Sequence, residues 1–538
     1  MFIHPLLSLL VTFASSSQGS TVARPDASRG LDALQGIWIA TTPQSAVFRI
    51  TILNDYVTID SKPGSQPIHG YIALASIKDS ACDLVLEHRG TIKCNFRISG
   101  SELDLALDPS LRASSSQSPT SKSALVNLHL HRYPTIYIVP EHGAVASVGQ
   151  IRLPSPTGPF HIGRIRFNLV DASRDEPNIL DGHQHYRELA VHLWYPVKDT
   201  VRAASAPYYP NFEAVQAAIG IEGANGMKEE MDTAFPFVRR VASGALDHAP
   251  SAIVPAGSPL LIFLSGQGYC STHYTALIED LVSHGYTVAG IESTYLADCI
   301  LFEGNRPVKF AAERWEQERN YPETILFNSQ ISNLLAEDAM FALNQLRSIA
   351  RTETCRNIDF THVGIFGHSI GGRAAALACQ MDDRLSACID LDGFSSAGNA
   401  AVNFGGNSMR QPFMLFRIGM TQPSSKELEQ SGMTGRNYSD WSNRASSQRL
   451  AFYRRTGSNA FEATLVALMA DHGSFSDIPL INPSPKAVQV STIKAIRGCV
   501  LQFFDRFLRK KSAPALSPSQ HIFPQVSVQS FALFEKHK

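Results

Sequence analysis

The stretch HVGIFGHSIGGRAAALAC, residues 362–379, decides the fold. An apolar strand pattern runs into Gly367-His368-Ser369-Ile370-Gly371, and an Ala-rich helical pattern comes directly after it. A serine with glycines two positions away on either side, between a strand and a helix, is typical of a nucleophile elbow, because so tight a turn leaves no room for bulky neighbours. Such a turn presents Ser369 at the carboxyl edge of a sheet, above a helix N-terminus that favours developing negative charge. The stretch therefore predicts an α/β fold with Ser369 as a nucleophile.

The chain around this stretch has the matching pattern. From about Leu153, strand-like runs alternate with segments of helical length, which predicts an α/β fold with a mostly parallel sheet. The predicted strands are 189–196, 259–264, 286–291, 362–367, 387–392 and 412–417, and the predicted helices are Tyr274–His284, Asn328–Ile349, Gly371–Cys379 and Ala487–Lys510. Residues 203–256 do not fit the alternation and are predicted to form a cap insertion in a catalytic domain at 153–510. A Ser/Pro-rich tail occupies 511–538.

A serine nucleophile needs a general base at neutral pH. In this class of fold the order along the chain is serine, acid, histidine. The histidines after Ser369 are His472, His521 and His537, and the last two fall in the polar tail. His472 comes after an apolar run and just before the closing helix, so it is the predicted base.

The acid is less sharply defined by the sequence. The strand at 412–417 is not followed by a carboxylate, whereas the strand before it ends in Asp390-Leu391-Asp392-Gly393. Asp392 lies at the exit of that strand beside a glycine turn and is the predicted acid. Asp390 is the first alternative, and Asp471 is a weaker one because its side chain should diverge from the neighbouring imidazole.

The oxyanion hole of this architecture takes one N–H from the residue after the nucleophile and one from the loop after an earlier strand. The first is the N–H of Ile370. The second is predicted to be the N–H of Gln267, in the loop Ser265-Gly266-Gln267-Gly268-Tyr269 that comes directly after PLLIFL.

Composition excludes several classes of protein. The chain has 538 residues, of which 44% are hydrophobic and 18% charged, with a formal net charge of -1. The apolar fraction excludes wholesale disorder, and a pI near 7.0 argues against a nucleic-acid binder. No apolar run beyond residue 30 is long enough to cross a bilayer. The apolar stretch Pro5–Ala14 predicts a signal peptide over 1–23 and a secreted or periplasmic protein, although the n-region lacks Lys and Arg.

Residues 31–134 have a different sequence pattern. Short strand-like segments separated by turn residues predict a small antiparallel β-domain, either a barrel or a sandwich, with a linker at 135–152. Gly36-Ile37-Trp38 resembles the opening GxW of lipocalin-like barrels. No catalytic cluster is visible in this domain.

Eight cysteines are spread along the chain without CxxC pairs or zinc-ligand spacing, so no metal site is expected. Cys82 and Cys94 flank a hairpin-like segment and form one candidate disulfide. Cys270 and Cys299 each come shortly after a predicted strand and form another candidate. Small buried residues are an equally good interpretation of all of them.

Four motifs resemble the plasma-type platelet-activating factor acetylhydrolase family of α/β-hydrolases, including its bacterial members. They are PTGPFHIG at Pro156–Gly163, RELAVHLWYP at Arg187–Pro196, LVSHGYTV at Leu281–Val288 and GHSIGG at Gly367–Gly372. The resemblance covers about 153–510 and does not extend to 31–134. It implies an α/β-hydrolase fold for the covered part.

The same resemblance bears on the site residues. The acid of the family lies in a short L-D motif, which falls on Leu391-Asp392, and its base opens an H-x-x-F-x-D motif, which falls on His472, Phe475 and Asp477. The family's oxyanion loop often reads S/P-H-G-x-G, whereas Ser265 occupies the His position here. The assignment of Gln267 therefore depends on the flanking glycines.

The implied function is hydrolysis of short-chain carboxylic esters, including short or oxidised sn-2 acyl groups of phospholipids, without a metal or organic cofactor. The expected partner is a small ester or phospholipid. A general carboxylesterase or polyester hydrolase would use the same triad, and a lapsed hydrolase that binds a ligand would not need one intact. An apolar face in the insertion would allow a transient membrane-surface contact, although burial is the simpler use; its residues are Phe235, Phe237, Val238 and Val241.

Overall fold

A computed structural model gives the architecture. It describes nine strands between residues 36 and 139 by their backbone, and residues 151–531 with internal gaps. The gaps are 178–184, 199–202, most of 213–239, 256, 303–305, most of 316–320 and of 351–354, 394–408, 420–434, 457–458, 468–469 and 482–484.

The chain divides into two compact units, and the first contains eight antiparallel strands. They are β1 (Gly36–Thr41), β2 (Val47–Leu53), β3 (Tyr56–Asp60), β4 (Ile68–Ile72), β5 (Ala81–Leu86), β6 (Gly90–Ser99), β7 (Glu102–Asp108) and β8 (Val126–Tyr133). Each strand pairs with the next, and β1 also pairs with β8, so the backbone closes a barrel. Cys82 lies opposite Cys94 in the register of β5 and β6, but the side chains of this candidate disulfide lie outside the described residues.

The second unit is built on a large mixed sheet. Its strands are β9 (Ile136–Val139), β11 (His161–Asp175), β12 (Tyr186–Val197), β14 (Ala245–Asp247), β15 (Ser258–Leu264), β16 (Thr287–Ser293), β19 (Ile358–His368), β20 (Leu385–Leu391), β21 (Phe413–Ile418), β22 (Ala460–Leu465) and β23 (Val526–Ser530). Two small pairs accompany it, β10 (Ile151–Arg152) with β13 (Val241–Ala242) and β17 (Cys299–Phe302) with β18 (Arg306–Lys309).

The centre of the large sheet is parallel. The order is β14-β11-β12-β16-β15-β19-β20-β21-β22-β23, with β9 on β11. Strands β16 to β22 of this order are parallel neighbours, whereas β12 and β23 pair antiparallel with the outermost of them. All seven residues of β15 are buried, as expected for a parallel strand covered on both faces.

Helices cover both faces of the sheet. They are α1 (Thr275–Ser283), α2 (Ala312–Trp315), α3 (Tyr321–Ser348), α4 (Ile370–Met381), α5 (Gly435–Thr456) and α6 (Ala487–Leu508). One apolar cluster packs α1 and α6 against the sheet, and a second packs α3, α4 and α5 against it. None of the helices in the described part of the chain combines the length and hydropathy that a bilayer crossing requires.

Two of the sequence motifs have structural roles away from the elbow. Thr157 donates to the Asp280 carboxylate through its N–H at 2.8 Å and its hydroxyl at 2.9 Å. These bonds fix the motif Pro156–Gly163 on α1. A Cβ on Gly158 would overlap the Ser283 carbonyl, so this position of the motif requires glycine. Arg187 forms a fully buried ion pair with Asp338 at 2.6 Å and thereby ties β12 to α3.

The predicted strands and helices are present, with several differences. Helix α3 begins at Tyr321, earlier than predicted, and α5 is a polar helix that the apolar pattern did not indicate. The predicted tail returns to the sheet as β23, and the predicted cap segment contributes the short strands β13 and β14. Val238 and Val241 of its apolar face are buried, while Phe235 and Phe237 lie outside the described residues.

The cysteines pair differently from the sequence-based candidates. Cys379 near the end of α4 forms a disulfide with Cys388 of β20, a pairing that the sequence spacing did not indicate. Cys270 and Cys299 are free and buried. The second candidate disulfide is therefore not formed, and the interpretation as small buried residues applies to this pair.

Candidate active site

Ser369 lies in a sharp turn between β19 and α4. Its φ of 57° falls in the left-handed region, where a residue with a side chain is strained. A Cβ on Gly367 would overlap the Gly371 carbonyl, and a Cβ on Gly371 would overlap the Leu264 carbonyl. Both motif glycines are therefore required by close backbone packing. Ser369 has the strand–turn–helix context that the sequence predicted.

The turn leads directly into the first turn of α4. Backbone donors there have no acceptor within the helix. The N–H groups of Gly372 and Arg373 donate back to the Ser369 carbonyl, at 3.0 and 3.3 Å. The N–H of Ile370 has no protein acceptor within the described part of the chain. It is therefore available to an anion beside Ser369.

Asp392 lies at the end of the neighbouring strand β20, in a second left-handed turn with φ 58°. The residue is 1% exposed, so its carboxylate needs donors within the protein. The Ile418 N–H donates to Oδ1 at 3.1 Å, and His472 Nδ1 lies 2.6 Å from Oδ2. The structure thus brings together the predicted acid and the predicted base.

His472 opens a short 3₁₀ helix, His472–Phe475, after β22. Its side chain is 33% exposed, while Asp392 beneath it is buried. The ring of His472 packs on the ring of His368, with centroids 4.5 Å apart, and His368 directly precedes Ser369. Asp471 accepts from the Ser474 hydroxyl at 2.9 Å, and the carboxylate that contacts the imidazole is that of Asp392.

Asp390, the first alternative for the acid, has a different set of contacts. Its Oδ1 accepts the Gly393 N–H at 2.6 Å, so it braces the turn at Asp392. Burial raises the pKa of Asp390 well above its ordinary value. A Cβ on Gly372 would overlap this carboxyl, which places Asp390 against the start of α4.

The loop after β15 lies against the elbow. A Cβ built on Gly266 would be 3.3 Å from the Ser369 Cβ. Three of the four N–H groups from Gly266 to Tyr269 are engaged: Gly266 donates to the Tyr274 hydroxyl at 3.2 Å, Gly268 to Leu296 O at 2.9 Å and Tyr269 to Gly266 O at 3.1 Å. In the described protein the fourth, that of Gln267, has no acceptor. The Ser265 hydroxyl closes the loop on Tyr269 O at 2.8 Å.

Two tyrosines of the segment 203–212 hold that segment against the site. Tyr208 donates to Asp477 at 3.1 Å, and Tyr209 donates to Asp298 at 2.6 Å. Asp477 also accepts the Ala276 N–H at 3.1 Å at the start of α1. Burial raises the pKa of Asp477 well above its ordinary value. Asp477, the last residue of the H-x-x-F-x-D motif, therefore connects the region after the 3₁₀ helix His472–Phe475 with α1 and with residues 203–212.

Sequence reasoning did not identify three groups around the site. Tyr274 and His368 form a hydrogen bond of 2.8 Å beside the elbow, and His273 is fully buried among tyrosines. Burial lowers the pKa of His273 to about 3, so this ring is neutral. The position of His368 inside the elbow motif was the available signal. Tyr274 and His273 gave none, because no motif marks either of them.

A mostly parallel sheet, with a serine in a left-handed turn between a central strand and a helix, defines the α/β-hydrolase class. The family model described as "Platelet-activating factor acetylhydrolase, isoform II" matches residues 145–484. The chain belongs to this family of ester hydrolases, as the sequence motifs indicated.

Individual relatives have low sequence identity to this chain. A probable 1-alkyl-2-acetylglycerophosphocholine esterase of Arthroderma benhamiae is 24% identical over 49% of this chain and 64% of its own length. A platelet-activating factor acetylhydrolase of Bos taurus is 25% identical over 46% of this chain and 56% of its own length. The chain thus spans less than two thirds of these relatives. A ferulic acid esterase structure from Streptomyces cinnamoneus aligns with a TM-score of 0.53 at 24% identity, covering 71% of this chain and 100% of that one.

Proposed function

We propose that the protein is a serine ester hydrolase in which Ser369, His472 and Asp392 form a catalytic triad. The observation that carries this proposal is the 2.6 Å contact between His472 Nδ1 and the buried Asp392 carboxylate, on the strand whose Leu391 carbonyl accepts the Ser369 N–H. An Asp that holds Nδ1–H leaves Nε2 as the proton acceptor for a serine hydroxyl.

The reaction is acyl transfer to water. His472 removes the Ser369 proton as the oxygen attacks the ester carbonyl, and the N–H groups of Gln267 and Ile370 donate to the resulting oxyanion. Asp392 stabilises the imidazolium. His472 then protonates the leaving alcohol, activates water against the acyl-enzyme and returns the proton to Ser369. The protein's own groups account for each proton transfer.

The proposed substrates are short-chain carboxylic esters, including the sn-2 acyl group of phospholipids that resemble platelet-activating factor. Family membership and the names of the relatives support this choice. The alternative is a general carboxylesterase or polyester hydrolase, which would use the same triad. The two are distinguished by the acyl chain and the head group rather than by the chemistry.

The test is initial rates on p-nitrophenyl esters from acetate to decanoate, followed by 2-acetyl phospholipid against a simple acetate ester. Rates that fall steeply with chain length support the short-acyl assignment, and a preference for the phospholipid supports the narrower one. Equal rates on the phospholipid and on the simple acetate ester favour the general carboxylesterase. An unchanged rate in Ser369→Ala would refute the triad.

Two proposals concern the N-terminal part. We propose that residues 1–23 direct export to the periplasm or the medium and that residues 31–134 form a separate, lipocalin-like β-domain. The apolar stretch Pro5–Ala14 and the series of short strands support them. N-terminal sequencing of protein secreted by the expressing cells tests the first. Limited proteolysis within 140–150, the part of the predicted linker that lies between β9 and β10, tests the second. A transient contact with a membrane surface is tested by co-sedimentation with phosphatidylcholine vesicles.

A further inference from the structure

The hydroxyl of Tyr274 connects two parts of the proposed site. It accepts the Gly266 N–H at 3.2 Å, from the loop that contains Gln267, and it lies 2.8 Å from His368 Nδ1, in the elbow. Tyr274 is fully buried, so water does not compete for its hydroxyl. A Cβ on Gly266 would lie 3.3 Å from both the Tyr274 hydroxyl and the Ser369 Cβ. The loop, the tyrosine and the elbow are therefore packed closely together.

The direction of these hydrogen bonds is set by their donors. An N–H can only donate, so the Tyr274 oxygen accepts from Gly266. A buried hydroxyl proton needs an acceptor, and His368 Nδ1 is the other polar atom within hydrogen-bond distance of this oxygen in the described part of the chain, so we assign His368 Nδ1 as that acceptor. Burial raises the pKa of Tyr274 well above its ordinary value, which keeps that proton on the hydroxyl. His368 Nδ1 is then an acceptor, and this ring is the neutral tautomer with its proton on Nε2.

The neutral ring of His368 supports the ring of His472. The two centroids are 4.5 Å apart at an interplanar angle of 38°, and Phe475 packs on His368 with its centroid at 5.7 Å. His472 becomes a cation during the proposed reaction. A second cation at this distance would oppose that step, whereas a neutral ring does not.

We propose that Tyr274 and His368 are positioning residues for ester hydrolysis: Tyr274 fixes the oxyanion loop through Gly266 and holds His368 neutral beside His472. The inference rests on the proposed function and adds two residues to it. Neither side chain needs to touch the substrate. Their effect is expected in the transition state, where the oxyanion and the imidazolium develop together.

The experiment measures kcat and KM on p-nitrophenyl acetate, together with thermal unfolding, for the full chain. Tyr274→Phe removes the hydroxyl alone and should lower kcat by about 10- to 100-fold with KM changed by less than about twofold, since transition-state stabilisation is lost and ground-state binding is not. Tyr453→Phe is the matched control, because it removes another buried hydroxyl, on α5, which donates to Glu462 at 3.0 Å. It should leave kcat within about twofold of wild type.

A second pair of variants tests His368 even if Tyr274→Phe does not fold. His368→Asn keeps an acceptor close to the position of Nδ1 without an ionisable ring, and it should retain most of kcat. His368→Leu removes the acceptor and should lose about as much as Tyr274→Phe. Equal kcat in the Asn and Leu variants, or a wild-type kcat in Tyr274→Phe, would overturn this inference alone. Full activity in Ser369→Ala, measured in the same series, would overturn the proposed function and this inference together.

Discussion

The turns at Ser369 and Asp392 share a positive φ and serve different purposes. Each comes at the end of a parallel strand and places a residue with a side chain in the left-handed region, at φ 57° and 58°. In each, the N–H donates to a carbonyl near the end of the next strand: Ser369 to Leu391 O at 2.8 Å and Asp392 to Phe416 O at 2.7 Å. The two turns on neighbouring strands therefore share a positive φ and a hydrogen bond to the next strand.

The two turns differ in the segment that comes after each of them. Ser369 leads at once into α4, so it lies partly exposed at a helix N-terminus. Asp392 leads into Gly393 and is buried, with both carboxylate oxygens in contact with defined partners, Ile418 and His472. A strained residue with positive φ therefore presents a reactive group in one turn and fixes a supporting group in the other.

The largest effect is expected at the Ser369 turn. Ser369→Ala should lower kcat/KM on p-nitrophenyl acetate by about 10⁴-fold or more, because the nucleophile is lost. The double variant with His472→Ala should be no slower than Ser369→Ala alone, since the two residues act as a unit. Ser348→Ala, at the exposed end of α3, is the control. A further loss in the double variant would show that His472 acts separately from Ser369.

The Asp392 turn is tested against its own neighbour. Asp392→Asn should lower kcat by about 10³- to 10⁴-fold, because the amide cannot stabilise the imidazolium or fix its tautomer. Asp390→Asn should stay within about threefold of wild type, since Asn keeps the acceptor for the Gly393 N–H and the carboxylate in contact with His472 is that of Asp392. Steady-state rates at pH 7 decide between them. The reverse ranking would assign the acid to Asp390.

The contact between the two turns gives a smaller prediction. A Cβ on Gly393 would overlap the Ser369 carbonyl oxygen, so Gly393→Ala must push the turns apart. We expect a loss of about 1–3 kcal/mol in the free energy of unfolding from overpacking, with kcat falling by about tenfold. Urea denaturation and steady-state rates measure the two effects. Unchanged activity at reduced stability would mean that the turns tolerate separation.

A third buried carboxylate, that of Asp298, contacts a tyrosine, whereas the carboxylate of Asp392 contacts a histidine. Asp298 accepts from Tyr209 at 2.6 Å, and burial raises its pKa to about 7. Because the folded-state pKa exceeds the unfolded value, the stabilising contribution is complete below about pH 4 and is lost as the pH rises through 7. The free energy of unfolding of wild type relative to Asp298→Asn should fall by roughly 2–3 kcal/mol between pH 5 and pH 8. A constant difference would mean that Asp298 is ionised throughout.

The two turns also differ in how far the sequence predicts them. The Ser369 turn could be predicted because its close packing demands glycines, which leave a readable pattern. Six strands of the large sheet, β12, β15, β16, β19, β20 and β21, could be predicted from apolar runs, as could four of the helices. Asp392 could be chosen over Asp390 by its place at the strand exit and by the L-D motif of the family, whereas its contact with His472 spans 80 residues and leaves no local pattern.

Other features depend on tertiary contacts that leave no local pattern. Helix α5 is polar along most of its length, so no apolar run marks it in the sequence. Strand β23 is stabilised by pairing with β22 rather than by its own sequence. The Cys379–Cys388 disulfide joins two elements that only the fold brings together. Tyr274 had no motif to mark it, because its partners are a backbone N–H and a distant imidazole.

The central claim is that Ser369 is a nucleophile activated by His472 and Asp392. Its most direct test is labelling with a fluorophosphonate, followed by mass spectrometry of the intact protein and its peptides. We expect one adduct per chain on the peptide that contains Ser369, formed much more slowly in Asp392→Asn and absent in Ser369→Ala. An adduct on another residue, or equal labelling rates in wild type and Asp392→Asn, would contradict the account.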